Sequence, residues 1–254
     1  MSLKALIFDV DGTLADTEKD GHRLAFNSAF HEFGLSWDWD VALYGELLAV
    51  TGGKERIRYF VDHFAKNYTK PVDFDDLVAA LHKAKTKHYT EMLATGAIPM
   101  RKGVKRLLEE ARAAGVRLAI ATTTTPENVT ALLRHGLAED STAWFEVIAA
   151  GDIVPAKKPA PDIYTWALRE MGLDPAECLA FEDSENGIKS SHGAGLKTVI
   201  TVNDYTAEHD FSGAVAVLSD LGEPDSPFTL LQGDAQGQGY VDLNLLQRWY
   251  ARPS

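Results

Sequence analysis

Residues 3–14 read Leu3-Lys4-Ala5-Leu6-Ile7-Phe8-Asp9-Val10-Asp11-Gly12-Thr13-Leu14. A short apolar run passes directly into two aspartates, a glycine and a threonine. Such a run, bounded by turn residues, has the pattern of a buried strand that ends in a turn. Strands buried on both faces belong to parallel sheets covered by helices. The stretch therefore points to an α/β protein with acids standing at a strand end.

Outward from this strand the chain alternates strand-like and helix-like segments. Val104, Leu107, Leu108 and Ala111 repeat at helical spacing, and Gly115 stops that helix. Residues 116–121 form the next strand, and Pro126 sits as the first helical residue after Thr125. Further strands are expected at 146–150, 178–181, 196–202 and 214–218, with helices near 162–171 and 184–194. This succession of βα units predicts a central parallel sheet flanked by helices.

One long stretch breaks the alternation. From about residue 17 to 95 the apolar spacing is helical throughout. Phe26, Ala29, Phe30 and Phe33 form one face, Ile57, Phe60, Val61 and Phe64 a second, and Leu77, Ala80, Leu81 and Ala84 a third. Helices inserted after the first strand read as a small domain of their own. The expected division gives 17–96 to the helical insert, and 1–16 with 97–254 to the core. Residues 222–239, rich in Gly, Pro, Asp and Gln, read as a loop or hairpin, and 243–250 as a closing helix.

Composition narrows the functional classes. With 254 residues, 45% apolar and 24% charged, the chain is of ordinary globular make-up and long enough to bury a core without staples. A formal net charge of −12 argues against broad binding to nucleic acid or anionic membrane. The single cysteine, Cys178, excludes an intrachain disulfide framework and is expected to be a buried small hydrophobe. It fits a reducing compartment, cytoplasmic or stroma-like. The opening apolar run is too short for a signal peptide or membrane span. Nothing in the sequence calls for an obligate protein partner.

In open α/β sheets ligands bind beyond the carboxyl ends of the strands. At those ends stand Asp9 and Asp11, Thr122 at the head of a threonine run, Lys157 and Lys158, and Glu182 and Asp183. Acids, a hydroxyl and a lysine gathered on one rim suit phosphoryl transfer. Asp9 and Asp11, with Asp183 and Glu182, form a hard oxygen set for Mg²⁺. The cation, Lys158 and the Thr122 hydroxyl would neutralise the non-bridging phosphate oxygens. One carboxylate can attack phosphorus, and a second, two residues on, can protonate the leaving oxygen. For that role Asp11 must hold a proton at neutral pH, so its pKa is expected to be raised.

The run Asp9-Val10-Asp11-Gly12-Thr13-Leu14, with Thr122, Lys158 and Glu182-Asp183, resembles the haloacid dehalogenase-like superfamily of phosphatases. The resemblance implies a Rossmann-like core and a helical cap of the C1 type. It makes Asp9 the nucleophile and Asp11 the general acid/base. Thr122 would be the second-motif hydroxyl, with Thr123 as the alternative. Lys158 would be the third-motif lysine, matched by Lys158-Pro159-Ala160-Pro161-Asp162, with Lys157 the weaker choice. The implied Mg²⁺ ligands are the Asp9 side chain, the Asp11 carbonyl and Asp183, with Glu182 a direct or water-mediated neighbour. Asp16-Thr17-Glu18 and the run from Glu182 to Ile188 are similar to the β-phosphoglucomutase branch, and within it to the CbbY group, which accompanies Rubisco operons. That group implies hydrolysis of xylulose 1,5-bisphosphate.

The insert adds a hint about substrate. Thr51-Gly52-Gly53-Lys54-Glu55-Arg56-Ile57-Arg58 sets glycines beside three cations at a helix start, which suits a second phosphate. Glu18 and His22, one helical turn apart, are placed to meet sugar hydroxyls, and Tyr44 is a further candidate. The expected ligand is therefore a small phosphorylated sugar. A phosphosugar mutase, a phosphoglycolate-type phosphatase and a non-enzymatic phosphosugar sensor are the competing readings.

Overall fold

The computed structural model describes residues 2–96 and 98–252. Among these, seven strands form one sheet in the order β3-β2-β1-β4-β5-β6-β7. They are β1 (Ala5–Phe8), β2 (Arg117–Thr122), β3 (Val147–Ala150), β4 (Cys178–Glu182), β5 (Lys197–Thr201), β6 (Ala216–Leu218) and β7 (Leu230–Gln232). The first six run parallel, and β7 returns antiparallel to β6. This is the Rossmann-like architecture expected from the alternation of the sequence. The 222–239 tail resolves as the hairpin alternative, because it brings β7 back against β6 with Leu230 paired to Leu218.

Side-chain parity along β1 shows why the strand had to be apolar throughout. Leu6 and Phe8 join one core with Leu107 and Leu108 of α5 (Val104–Ala113), Leu132 of α6 (Pro126–Gly136) and Trp249 of α9 (Leu243–Ala251). Ala5 and Ile7 face the opposite core, with Ile163, Tyr164 and Ala167 of α7 (Asp162–Met171). Cys178 lies in this second core, and burial pushes its thiol up to about 12, as suits an unreactive packing residue. Phe8 pairs with Ile120 on one side and Phe181 on the other. The central strand and its two neighbours therefore end at one level. Asp9, Thr122 and Glu182 emerge together on the carboxyl edge.

Residues 23–94 carry four helices and no strand: α1 (Arg23–Glu32), α2 (Val41–Leu47), α3 (Gly53–His63) and α4 (Phe74–Ala94). They share a core of Phe26, Phe30, Trp37, Trp39, Tyr44, Ile57, Phe60, Val78 and Leu81. Trp39 is met edge-on by Phe30 at 4.8 Å and by Phe60 at 5.3 Å between ring centroids. Two residues expected on buried faces are instead exposed, Phe33 by 40% and Phe64 by 39%. Each is the C-cap of its helix, where the chain turns away and the 3.6-residue period no longer fixes direction. The far end of α4 leaves the insert's core: Tyr89 and Leu93 pack with Leu14, Val129 and Leu132.

Arg101 fastens the rim. Its guanidinium donates to the carbonyls of Gly12, of Thr201 at 3.1 Å, of Val202 at 2.5 Å and of Ser219 at 2.7 Å. Nε lies 3.3 Å from an Asp16 carboxylate oxygen. One buried fork thus ties the loop after β1 to the ends of β5 and β6. Replacing Arg101 by Met leaves several carbonyls without a donor, and is expected to cost about 3 kcal/mol. Urea unfolding should show a lower midpoint with unchanged slope. A loss under about 1 kcal/mol would mean that water substitutes for the fork.

Candidate active site

The loop after β1 aims Asp9 into a buried network. Asp9 N–H donates to the Phe181 carbonyl at 3.0 Å, continuing the sheet by one residue. Lys158 Nζ donates to Asp9 Oδ1 at 2.8 Å and to Glu182 Oε1 at 2.5 Å. Tyr164 donates its hydroxyl to the same Glu182 oxygen at 2.5 Å. Lys157 points elsewhere, to Asp152 at 2.7 Å, which leaves Lys158 as the lysine at this rim. Burial alone would discharge Lys158, but Asp9 and Glu182 more than offset this and hold its ammonium charged.

Asp9, Glu182 and Asp183 are all buried, and each offers an oxygen within 4.8 Å of the others. Burial pushes Asp9 up to about 7, with Lys158 opposing and Glu182 adding to the rise. Asp183 is raised by burial, then by Asp9 and Glu182. Glu182 Oε2 is buried without a hydrogen-bond partner. A compact all-oxygen cluster with surplus negative charge fits a hard divalent cation of the Mg²⁺ kind. Two glycines make room for it. A Cβ on Gly12, whose φ is +85°, would lie 2.2 Å from Asp183 Oδ2. A Cβ on Gly187 would lie 1.9 Å from Glu182 Oε2.

Asp11 is set apart from this cluster. Its Oδ1 accepts from the Thr17 hydroxyl at 2.5 Å and meets His22 Nε2 at 2.7 Å. Lys85 Nζ lies 2.7 Å from His22 Nδ1. An ammonium only donates, so Nδ1 accepts and Nε2 carries the proton that faces Asp11. The expectation of a raised Asp11 pKa is corrected here. Burial would raise it, but His22, the Thr17 hydroxyl and Lys85 outweigh burial and hold the carboxyl well below the usual range. His22 is corrected too: both its ring nitrogens are engaged by Asp11 and Lys85, so it does not present a free edge to sugar hydroxyls.

The insert contributes the other wall. Arg56 is buried, donating from Nη1 to the Tyr44 hydroxyl at 3.0 Å and from Nε to the Leu47 carbonyl at 3.2 Å. Tyr44 in turn donates to Glu18 Oε2 at 2.5 Å. The three cations expected to form one anion site do not converge. Lys54 pairs with Asp152 at 2.5 Å and Arg58 with Asp75 at 3.0 Å, both towards the surface. Residues two apart on α3 point to opposite sides of the helix, so Arg56 turns in while its neighbours turn out.

Asp9, Asp11, Glu18, Arg56, Thr122, Thr123, Lys158 and Asp183 line one cavity of about 310 Å³. Gly52 and Gly53 border a narrow cleft that also touches Asp11, His22 and Lys85. Thr122 is buried and Thr123 lines both spaces, so both threonines of the sequence reading reach the site. Sequence reasoning missed Thr17, Lys85, Tyr164, Asn186 and Asn203. For Lys85 a signal existed, since it falls four residues after Leu81 on the buried face of α4. Asn186 donates to the Ala49 carbonyl at 3.3 Å and the Thr51 hydroxyl at 3.1 Å, joining α8 (Glu185–Gly193) to the insert's loop.

Known proteins share the family and the fold. The model of the haloacid dehalogenase-like hydrolase family matches residues 3–195. The chain is 50% identical over 221 residues to protein CbbY of Rhodobacter capsulatus, covering 87% of this chain and 95% of that one. It is 44% identical over 248 residues to the plasmid-borne CbbY of Cupriavidus necator, covering 98% and 97%. A crystal structure of a mutant CbbY from Rhodobacter sphaeroides with xylulose 1,5-bisphosphate superposes with a TM-score of 0.79 at 44% identity, covering 86% and 94%. A β-phosphoglucomutase from Clostridium difficile shares the fold, with a TM-score of 0.72 at 19% identity.

His82 lies beneath the glycine loop, where a Cβ on Gly53 would come within 2.6 Å of its ring. Burial, then Lys85 and Lys54, lower its pKa from 6.5 to about 3. The unfolded chain therefore binds this proton first, and stability falls as pH drops from about 6.5 towards 3. Between pH 7 and 4.5 the native chain should lose about 2–3 kcal/mol more than a His82→Gln variant, read from urea midpoints. Parallel losses would show that His82 is not held neutral.

Proposed function

The chain belongs to the haloacid dehalogenase-like hydrolase family and is a sugar phosphatase; we propose that it hydrolyses xylulose 1,5-bisphosphate, with Mg²⁺, through an aspartyl-phosphate on Asp9. The observation that carries this reading is the buried Arg56, with Glu18 beside it, in the cavity that also holds Asp9 and Lys158. A bisphosphate needs a cation away from the reacting centre as well as one at it. The relative crystallised with xylulose 1,5-bisphosphate supports the same substrate. We take the helical insert, residues 17–96, as the cap over this cavity, and 1–16 with 97–254 as the core.

Asp9, Glu182, Asp183 and the Asp11 carbonyl would hold Mg²⁺. When bound, the ion supplies charge that neutralises the phosphate oxygens and the surplus of the carboxylates. Lys158 occupies Asp9 Oδ1, which turns the other carboxylate oxygen towards phosphorus. That oxygen forms the new P–O bond as the ester P–O bond to the sugar breaks. Asp11, ionised at rest, takes the Nε2 proton of His22 and passes it to the departing sugar oxygen. Lys85, brought down to about 8 by burial, makes good the loss by giving a proton to His22 at Nδ1. Water next attacks the acyl-phosphate and gives a proton back along the same line, releasing inorganic phosphate and free Asp9. The Thr122 hydroxyl steadies a phosphate oxygen in both steps, and Glu18 takes a sugar hydroxyl.

Asp9→Asn is expected to lower phosphate release from xylulose 1,5-bisphosphate by at least about a thousandfold while leaving the circular dichroism spectrum unchanged. Retained turnover would remove Asp9 as nucleophile. Isomerised sugar phosphate without phosphate release from the native chain would make it a mutase, and preference for phosphoglycolate would overturn the substrate.

The structure also separates Arg56 from Lys54. Arg56→Ala should raise KM for the bisphosphate by about 10- to 100-fold and for a pentulose monophosphate by much less. Lys54→Ala should leave both within about threefold, since its exposed pair with Asp152 is weak. Equal losses on both substrates in Arg56→Ala would exclude a distal phosphate there.

A further inference from the structure

We propose that Asn203 is a positioning residue of the metal site, holding Asp183 in the orientation in which it meets the cation. The proposal rests on the Mg²⁺ reading above. Asn203 lies two residues beyond the end of β5, in a turn that meets the loop after β4. Its Nδ2 donates to Asp183 Oδ2 at 2.7 Å.

The amide cannot turn over to present oxygen instead. Asn203 Oδ1 accepts from Tyr205 N–H at 2.9 Å, and Asn203 N–H donates to the Thr206 hydroxyl at 3.0 Å. With its oxygen end committed to the turn, the nitrogen end has to face the carboxylate. On the opposite side the room is set by Gly12, where a Cβ would lie 2.2 Å from Asp183 Oδ2 and 2.6 Å from Asn203 Nδ2. Asp183 Oδ2 is thus clamped between a donor and a backbone that only glycine allows, and the remaining oxygen is left for an ion that Asp9 and Glu182 would share.

The residue type suits the task. A lysine or arginine in this place would neutralise Asp183 and compete with the divalent ion for it. An acid would repel it. A neutral amide orients the carboxylate while leaving its charge to the metal. Hydrogen-bonded partners of ligating carboxylates carry about 10- to 100-fold of metal affinity in comparable sites.

The test separates this role from that of the turn. Asn203→Ser and Asn203→Thr keep a hydroxyl that can accept from Tyr205 N–H but cannot reach Asp183, whereas Asn203→Ala loses both contacts. Mg²⁺ binding is measured by calorimetry without substrate, and melting temperature is measured in EDTA. All three variants are expected to bind Mg²⁺ about 10- to 100-fold more weakly than the native chain. For Ser and Thr the metal-free melting temperature should stay within a few degrees of native. Raising Mg²⁺ should restore most of kcat in these two, which a damaged fold would not allow. Native Mg²⁺ affinity in Asn203→Ser or Asn203→Thr would overturn the proposal. Absence of Mg²⁺ binding by the native chain would instead overturn the metal reading on which it stands.

Discussion

Three carboxylates buried within 4.8 Å of one another, at the carboxyl ends of β1 and β4, are the constraint around which this fold is arranged. Removing such charges from water is costly unless each finds a partner, and three acids against one bonded lysine cannot balance alone. The surroundings read as answers to that demand. Lys158 spans two of the acids, Tyr164 and Asn203 donate to the second and third, and Gly12 and Gly187 clear the space they need. Arg101 acts at one remove, fixing the loop from which Asp9 and Asp11 project. The parallel sheet makes this possible by ending its central strand and both neighbours at one level.

Asp9 and Asp11 are two residues apart and have opposite electrostatic surroundings. Asp9 is raised by burial beside other acids, whereas Asp11 is lowered because the insert encloses it with Thr17, His22 and Lys85. Environments that push neighbouring acids apart are the usual mark of divided chemical roles. The helical segment therefore sets the electrostatic surroundings of Asp11 in addition to lining the cavity. Lys85 comes from α4, far from Asp11 in sequence, so the helical segment and the core have to fold against each other before Asp11 acquires its character.

The acid-bearing rim was legible in the sequence because strand ends are local signals. An apolar run followed by Asp9 and Asp11, or by Glu182 and Asp183, fixes both the element and the end at which its acids stand. Arg56 was legible as a cation but not as the one turned inward, since that depends on the face of α3 that packs against Tyr44. The sign of the Asp11 shift was not legible at all, because it is decided by His22 and Lys85, which the chain brings near only in three dimensions. Asn203 gave no pattern of its own. Phe33 and Phe64 were misplaced for a different reason, as helical period does not extend into the residue that caps the helix.

A chain with a net charge of −12 that binds a phosphorylated sugar is less paradoxical once charges are sorted by depth. Surface charges act on an incoming anion through water, where screening removes most of their effect beyond about 8 Å at physiological ionic strength. Many of them are also paired at the surface, as Arg58 is with Asp75 and Lys70 with Asp62. Inside the cavity the dielectric is lower and the relevant charges are few: Lys158, Arg56 and the buried acids, whose oxygens suit a divalent cation. There the acids would not count against phosphate once a hard divalent cation, which their oxygen set fits, took up their charge. Anion recognition is thus set by buried geometry, and net charge bears on solubility and on the exclusion of polyanions, not on the ligand of this site.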